Sequence, residues 1–130
     1  MLAGVGVDLA SIERIEKIYE KFPSRFVNRI FTEREKEAFS EKNFSMATLA
    51  ARFAAKEAVL KAIGCGIGPA GLNEVEITAT TGKQPEVRLY GEALRLAGKR
   101  NISNIALSMT HEPPFACAVA AAFSAPYGCN

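Results

Sequence analysis

Hydrophobic positions along the chain follow two periods, and the switches between them mark the elements. Residues 2–8, LAGVGVD, alternate apolar side chains with glycine, which predicts a strand ending on Asp8. Gly4 and Gly6 weaken such a strand unless something packs closely against it. Asp8 also reads as a helix entry, and Ser11 is a second cap candidate. From Ile12 to Phe22 the period lengthens to that of a helix burying Ile12, Ile15, Tyr19 and Phe22, and Pro23 stops it. Thr32-Glu33-Arg34-Glu35 has the spacing of a capping box and opens a short helix running to about Glu41.

Residues 45–64, SMATLAARFAAKEAVLKAIG, predict the central element, one helix of roughly 28 Å at about 1.5 Å per residue. Ser45 caps its start and Gly64 closes its end, with neither Pro nor Gly between. Met46, Leu49, Phe53, Val59, Leu60 and Ile63 form a large apolar face. Ala47, Ala51, Ala54, Ala55, Ala58 and Ala62 form a second, whose bare methyls let another backbone approach closely. Only Arg52, Lys56, Glu57 and Lys61 are charged, and on a mostly buried helix they need partners.

The second half returns to period two. Residues 74–80 and 86–91 flank the turn TGKQP as a hairpin, 91–99 form a short helix, and 102–112 and 116–123 are strands joined by the turn EPPF. The expectation is an α+β single domain of about five strands and four helices, its long central helix packed on a largely antiparallel sheet. The strand 116–123, ACAVAAAF, is apolar on both faces, so both are expected to be covered, one by another subunit of an oligomer.

Composition narrows the classes. The 130 residues are 48% apolar and 23% charged, with a net charge of +2, so general nucleic-acid binding has no support. No apolar run reaches the ~20 residues of a membrane helix, and the start lacks a signal-peptide pattern. Cys65, Cys117 and Cys129 are odd in number without CxxC spacing, which predicts free thiols in a reducing cytoplasm. A single His excludes a zinc site built on several. The four glycines within residues 64–71 follow a helix rather than open one, so they form neither a P-loop nor a dinucleotide fingerprint, and a plain loop is the better reading. Arg14, Lys17 and Lys21 share a helix face and Arg25 and Arg29 follow. They form either a patch for an acidic partner or a solvated face laced with Glu13, Glu16 and Glu20.

Two carboxylates from separate elements, Asp8 and Glu57, are suited to one hard cation such as Mg²⁺, which takes few carboxylates and keeps waters and substrate phosphates. Arg52, Lys56 and Lys61 would then serve phosphate oxygens, the complement that phosphoryl transfer needs. The plainer alternative pairs these charges with one another, Glu57 with Lys61 at i,i+4 for example. Ser108 and His111 make a weaker nucleophile reading, because no buried acid orients them.

Gly6-x-Asp8 followed by Arg14, then Arg52-Phe53-Ala54-Ala55-Lys56-Glu57-Ala58 with Lys61-Ala62, then Ser108-x-Thr110-His111, resembles the holo-acyl-carrier-protein synthase family of small bacterial-type 4′-phosphopantetheinyl transferases. The resemblance runs from about Gly4 to Phe123, implying a transferase domain over 1–123 and a tail over 124–130. It implies that the phosphopantetheine arm of coenzyme A moves to a serine of apo-acyl carrier protein, releasing adenosine 3′,5′-bisphosphate. Asp8 and Glu57 would bind Mg²⁺ and, with Lys61, form the catalytic set. Arg52, Lys56, Lys61, Gly64, Pro85 and His111 would contact coenzyme A. The family's Gly-x-Pro turn is one residue longer here, through Gln84 between Gly82 and Pro85. Arg14, Lys21 and Arg25 would meet the carrier protein. A homotrimer, a cytoplasmic setting and a role in fatty acid biosynthesis are also implied. The rivals are another Mg²⁺-dependent phosphotransfer or pyrophosphate-cleaving enzyme, and a non-catalytic oligomeric binding module.

Overall fold

In the computed structural model, which describes residues 1–66 and 70–126, the chain runs β1 (Leu2–Ser11), α1 (Ile12–Lys21), α2 (Pro23–Ile30), α3 (Glu33–Lys42) and α4 (Met46–Ala62). A 3₁₀ turn (Leu72–Glu74) leads into β2 (Val75–Thr78), β3 (Glu86–Leu89), α5 (Gly91–Lys99), β4 (Ile102–Glu112) and β5 (Phe115–Ser124). The α+β class and the long central helix are as expected. The strands, however, form two antiparallel sheets rather than one, β1-β5-β4 and a separate β2-β3 hairpin. Residues 67–69 of the glycine loop and 127–130 of the tail, Cys129 included, lie outside the described residues, while Cys65 and Cys117 are free thiols.

α4 lies across the three-stranded sheet. Ser45 Oγ accepts from Thr48 N–H at its start, and Gly64 beyond its end has φ +82°, a conformation that favours glycine. Ala54, Ala55, Ala58 and Ala62 are fully buried, and so are Ala120 and Ala122 of β5 beneath them. The small side chains bring backbone to backbone. A methyl on Gly4 would sit 2.0 Å from the Ala62 carbonyl oxygen, and one on Gly6 would sit 1.9 Å from that of Ala58. The glycines that weaken β1 as an isolated strand are thus what let it lie against the helix.

β1 runs three residues past the predicted end at Asp8, because its ladder with β5 continues from Asp8↔Ala118 to Ser11↔Phe115. Ser11, not Asp8, therefore caps α1, its Oγ accepting from Arg14 N–H at 3.2 Å. The period of two puts Asp8 on the same face as Gly4 and Gly6, toward α4. Phe22 was expected inside but is 43% exposed, because it is the residue that joins α1 to α2. Pro23 ends α1 and also starts α2, where its fixed φ suits the first helical position.

Among the described residues, β5 is fully covered on one face only. Ala116, Ala118, Ala120 and Ala122 are buried, while Phe115 and Val119 on the opposite face are nearly half exposed. Val5, Val7 and Leu9 of β1 are 58%, 55% and 61% exposed beside them. The sheet therefore presents an apolar outer face.

Gly6→Ala is expected to destabilise the fold by about 3 kcal/mol, because the added methyl meets backbone that cannot yield. Gly98→Ala in α5, where a methyl meets nothing within 4 Å, should be neutral or stabilising by up to about 1 kcal/mol. Urea denaturation of the two variants beside the parent checks the contrast.

Candidate active site

The charged residues of α4 fall into two groups on different faces of the helix. Glu57 and Lys61, one turn apart, face Asp8 of β1. Lys61 Nζ donates to Asp8 Oδ1 at 3.2 Å and to the Val7 carbonyl at 3.0 Å, reaching across to the strand rather than forming an ion pair along the helix with Glu57. Glu57 is only 8% exposed. Burial, and then the negative charge of Asp8, push its carboxyl above the usual range, with Lys61 acting in the opposite direction. Two carboxylates that repel each other, held on two rigid elements and balanced by one half-exposed ammonium, suit a small divalent cation with open positions. Among the described residues no three His, Cys, Asp or Glu side chains cluster for a metal, so an all-protein zinc cage is not formed there.

Nearer the start of α4, Arg52 and His111 line one cleft of about 180 Å³ together with Thr48, Ala51, Ala79, Met109 and Thr110. β4 delivers His111 to this cleft as its next-to-last residue. Arg52 Nη1 donates to the Ile77 carbonyl at 2.7 Å, and its guanidinium lies 4.9 Å from the centre of the Phe44 ring.

Lys56 requires a correction. It was assigned to coenzyme A contact, but its side chain is fully buried. Its ammonium donates to Glu35 Oε1 at 2.6 Å, to the Leu72 carbonyl at 3.2 Å and to the Val75 carbonyl. All three protons are engaged inside the protein, so none faces a ligand. Burial lowers the Lys56 pKa, and the adjacent Glu35 carboxylate opposes that shift.

The remaining expected residues are spread around these groups. Gly64 is exposed at the end of α4, with Arg100 close by. Pro85 is half-buried at the head of β3, after exposed Gln84. Arg14, Lys21 and Arg25 are exposed on α1 and α2, and the cations of Lys21 and Arg25 lie 5.5 and 5.0 Å from the centre of the Phe22 ring. The sequence reading missed Glu35 and Glu76 as buried carboxylates, 3% and 4% exposed. The capping box did mark Glu35 as a local cap, and it holds: Thr32 N–H donates to Glu35 Oε1 at 3.0 Å.

Comparison with known proteins shows the family. The profile described as 4′-phosphopantetheinyl transferase superfamily matches residues 4–120. The chain belongs to that superfamily. A holo-[acyl-carrier-protein] synthase of Natranaerobius thermophilus is 40% identical over 124 residues, spanning 95% of this chain and 99% of the relative. Among solved structures, the holo-[acyl-carrier-protein] synthase of Neisseria meningitidis superposes with a TM-score of 0.84 at 36% identity, covering 95% of this chain and all of that one. The Helicobacter pylori synthase in complex with coenzyme A superposes with a TM-score of 0.77 at 30% identity, covering 92% and 99%. These transferase relatives match the chain over almost their whole length.

Because the folded protein holds the Glu57 proton more tightly than the unfolded chain does, ionising Glu57 costs stability as pH rises above the ordinary carboxyl value of 4.5. With chelator present, Glu57→Gln is expected to raise the melting temperature by a few degrees at neutral pH. The gain should shrink as pH falls toward 4.5. Differential scanning calorimetry across this pH range measures both effects.

Proposed function

We propose that this protein is a holo-acyl-carrier-protein synthase: it transfers the 4′-phosphopantetheine arm of coenzyme A to a serine of apo-acyl carrier protein and releases adenosine 3′,5′-bisphosphate. The observation that carries this is the arrangement along α4. Glu57 and Lys61 meet Asp8 at one end, and Arg52 opens into the His111 cleft toward the other. The superfamily match and the coenzyme A named for the Helicobacter relative support the same reading.

Asp8 and Glu57 would hold Mg²⁺. A bound Mg²⁺ neutralises charge on a pyrophosphate and on the group that departs from it. Lys61, tethered to the Val7 carbonyl beside Asp8, is placed to offset negative charge on the phosphate that is attacked. The carrier serine must lose its proton as it attacks, and Asp8 and Glu57 are the acceptors the site offers, directly or through water. Arg52 and His111 supply cationic and hydrogen-bonding contacts to the nucleotide part and its phosphates from their shared cleft. Gly64 offers main chain to which a phosphate can come close, and the β2–β3 turn with Gln84 and Pro85 borders the nucleotide.

Arg14, Lys21 and Arg25 form the docking surface for an acidic carrier protein, with exposed Phe22 as its apolar centre. The apolar outer face of the β1-β5-β4 sheet supports assembly into a homotrimer with active sites between subunits. No helix among the described residues is long and apolar enough to cross a membrane. A cytoplasmic role in fatty acid biosynthesis fits the proposed carrier substrate.

Intact mass spectrometry of apo-acyl carrier protein incubated with this protein, coenzyme A and Mg²⁺ is expected to show the gain of one phosphopantetheine arm, absent with chelator. Breakdown of coenzyme A without carrier protein would favour a pyrophosphate-cleaving enzyme instead. In steady-state kinetics, Arg14→Ala should raise KM for carrier protein by about tenfold while leaving KM for coenzyme A nearly unchanged. Equal effects on the two would argue against docking there.

A further inference from the structure

We propose that Glu35 is a positioning residue for coenzyme A binding, acting through Arg52; this rests on the transfer reading above. Arg52 and Lys56 are the cations on α4 that Glu35 touches, and all three side chains converge on one edge of β2. In the β2–β3 ladder, Val75 pairs with Leu89 and Ile77 with Val87. In an antiparallel pair, alternate residues turn both N–H and C=O away from the partner strand. Val75 and Ile77 are such residues: both backbone groups of Ile77 and the Val75 carbonyl meet side chains instead of a neighbouring strand, while the Val75 N–H donates to the Leu72 carbonyl. The Ile77 N–H donates to Glu35 Oε2 at 2.9 Å, the Ile77 carbonyl accepts from Arg52 at 2.7 Å, and the Val75 carbonyl accepts from Lys56. The three charged side chains thus stand in for a missing strand and dock the hairpin on α4.

This edge reaches the ligand cleft directly. Ala79, just beyond β2, forms part of the wall that Arg52 and His111 share. Glu35 lies 2.6 Å from the Lys56 ammonium and 4.0 Å from Arg52, so its charge is matched chiefly to Lys56. Arg52 keeps a positive charge in need of another anion. Arg52 is itself 7% exposed, and that small exposed part lies along the cleft wall it shares with His111. The guanidinium is anchored at one corner by a peptide that Glu35 itself holds, and its remaining donors are left for a phosphate.

The chemistry requires a carboxylate of this length. Oε1 accepts from Thr32 N–H and Lys56, and Oε2 accepts from Ile77 N–H. Every bonded partner is a donor, so glutamine would turn an NH₂ toward one of them, and aspartate would fall a methylene short.

Glu35→Gln alone leaves the Lys56 ammonium buried without a counter-charge and risks unfolding. The deciding variant is therefore Glu35→Gln/Lys56→Met, which removes both charges together. Calorimetric titration with coenzyme A and no carrier protein reads binding apart from turnover, with circular dichroism and light scattering to confirm fold and assembly. The double variant is expected to bind coenzyme A about tenfold more weakly, with carrier-protein affinity changed less than about twofold. In an Arg52→Met background the same two substitutions should add no further loss, which a merely structural role would not predict. A folded double variant that binds coenzyme A like the parent, or an undiminished loss without Arg52, overturns the proposal. If the parent binds coenzyme A but modifies no carrier protein, the transfer reading fails, and the binding comparison alone decides the role of Glu35. A parent that does not bind coenzyme A overturns both.

Discussion

The contact between α4 and β1 sets the rest of the site. Strand backbone lies against helix backbone, with Gly4 and Gly6 facing the Ala62 and Ala58 carbonyls at distances that exclude even a methyl group. Such an approach fixes both the height and the register of the strand over the helix. Asp8 follows Gly6 on the same face of β1, and Glu57 and Lys61 flank Ala58 on α4. Three charges from two elements meet because two small-residue faces leave no other way to pack. A site built on a helix and a strand in this contact is held more rigidly than one built on loops.

Two faces of α4 handle buried charge differently. On the side of α3 and β2, Lys56 is matched by Glu35 and by two backbone carbonyls, an arrangement complete without any ligand. On the β1 side, Asp8 and Glu57 share a single ammonium, and burial, then the charge of Asp8, raise the proton affinity of Glu57. Buried ions are costly unless paired and hydrogen-bonded, so the first arrangement reads as structure, whereas the second leaves two carboxylates to one ammonium. Arg52 lies between the two cases, held by one carbonyl and one aromatic face but open to the cleft.

The three-stranded sheet has an inner face of alanines under α4 and an outer face of exposed Val5, Val7, Leu9, Phe115 and Val119. An apolar face of that kind is unusual on an isolated domain and suits contact with further copies of the chain. The exposed cations at Arg14, Lys21 and Arg25 lie on α1 and α2, elements apart from that sheet.

Much of this was legible in the sequence, because it rests on local rules. The caps at Ser45, Thr32 and Gly64, the α4 helix, the hairpin and the alternation of β4 and β5 follow from hydrogen-bonding reach and side-chain period, which involve only near neighbours. The motif residues around Arg52–Ala58 were enough to point to the transferase superfamily. The sequence could not show that Lys56 is sealed inside while Arg52, four residues earlier on the same helix and also largely buried, keeps an edge on the His111 cleft. Both are cations on a buried helix, and which one meets Glu35 at close range depends on where α3 and β2 pack. The run of β1 past Asp8, the exposure of Phe22 and the split into two sheets likewise depend on distant partners. Spacing along the chain determined which groups exist on which element. Only tertiary packing decided which charges are neutralised and which remain to act, because the cost of a buried charge depends on the neighbours that surround it in space.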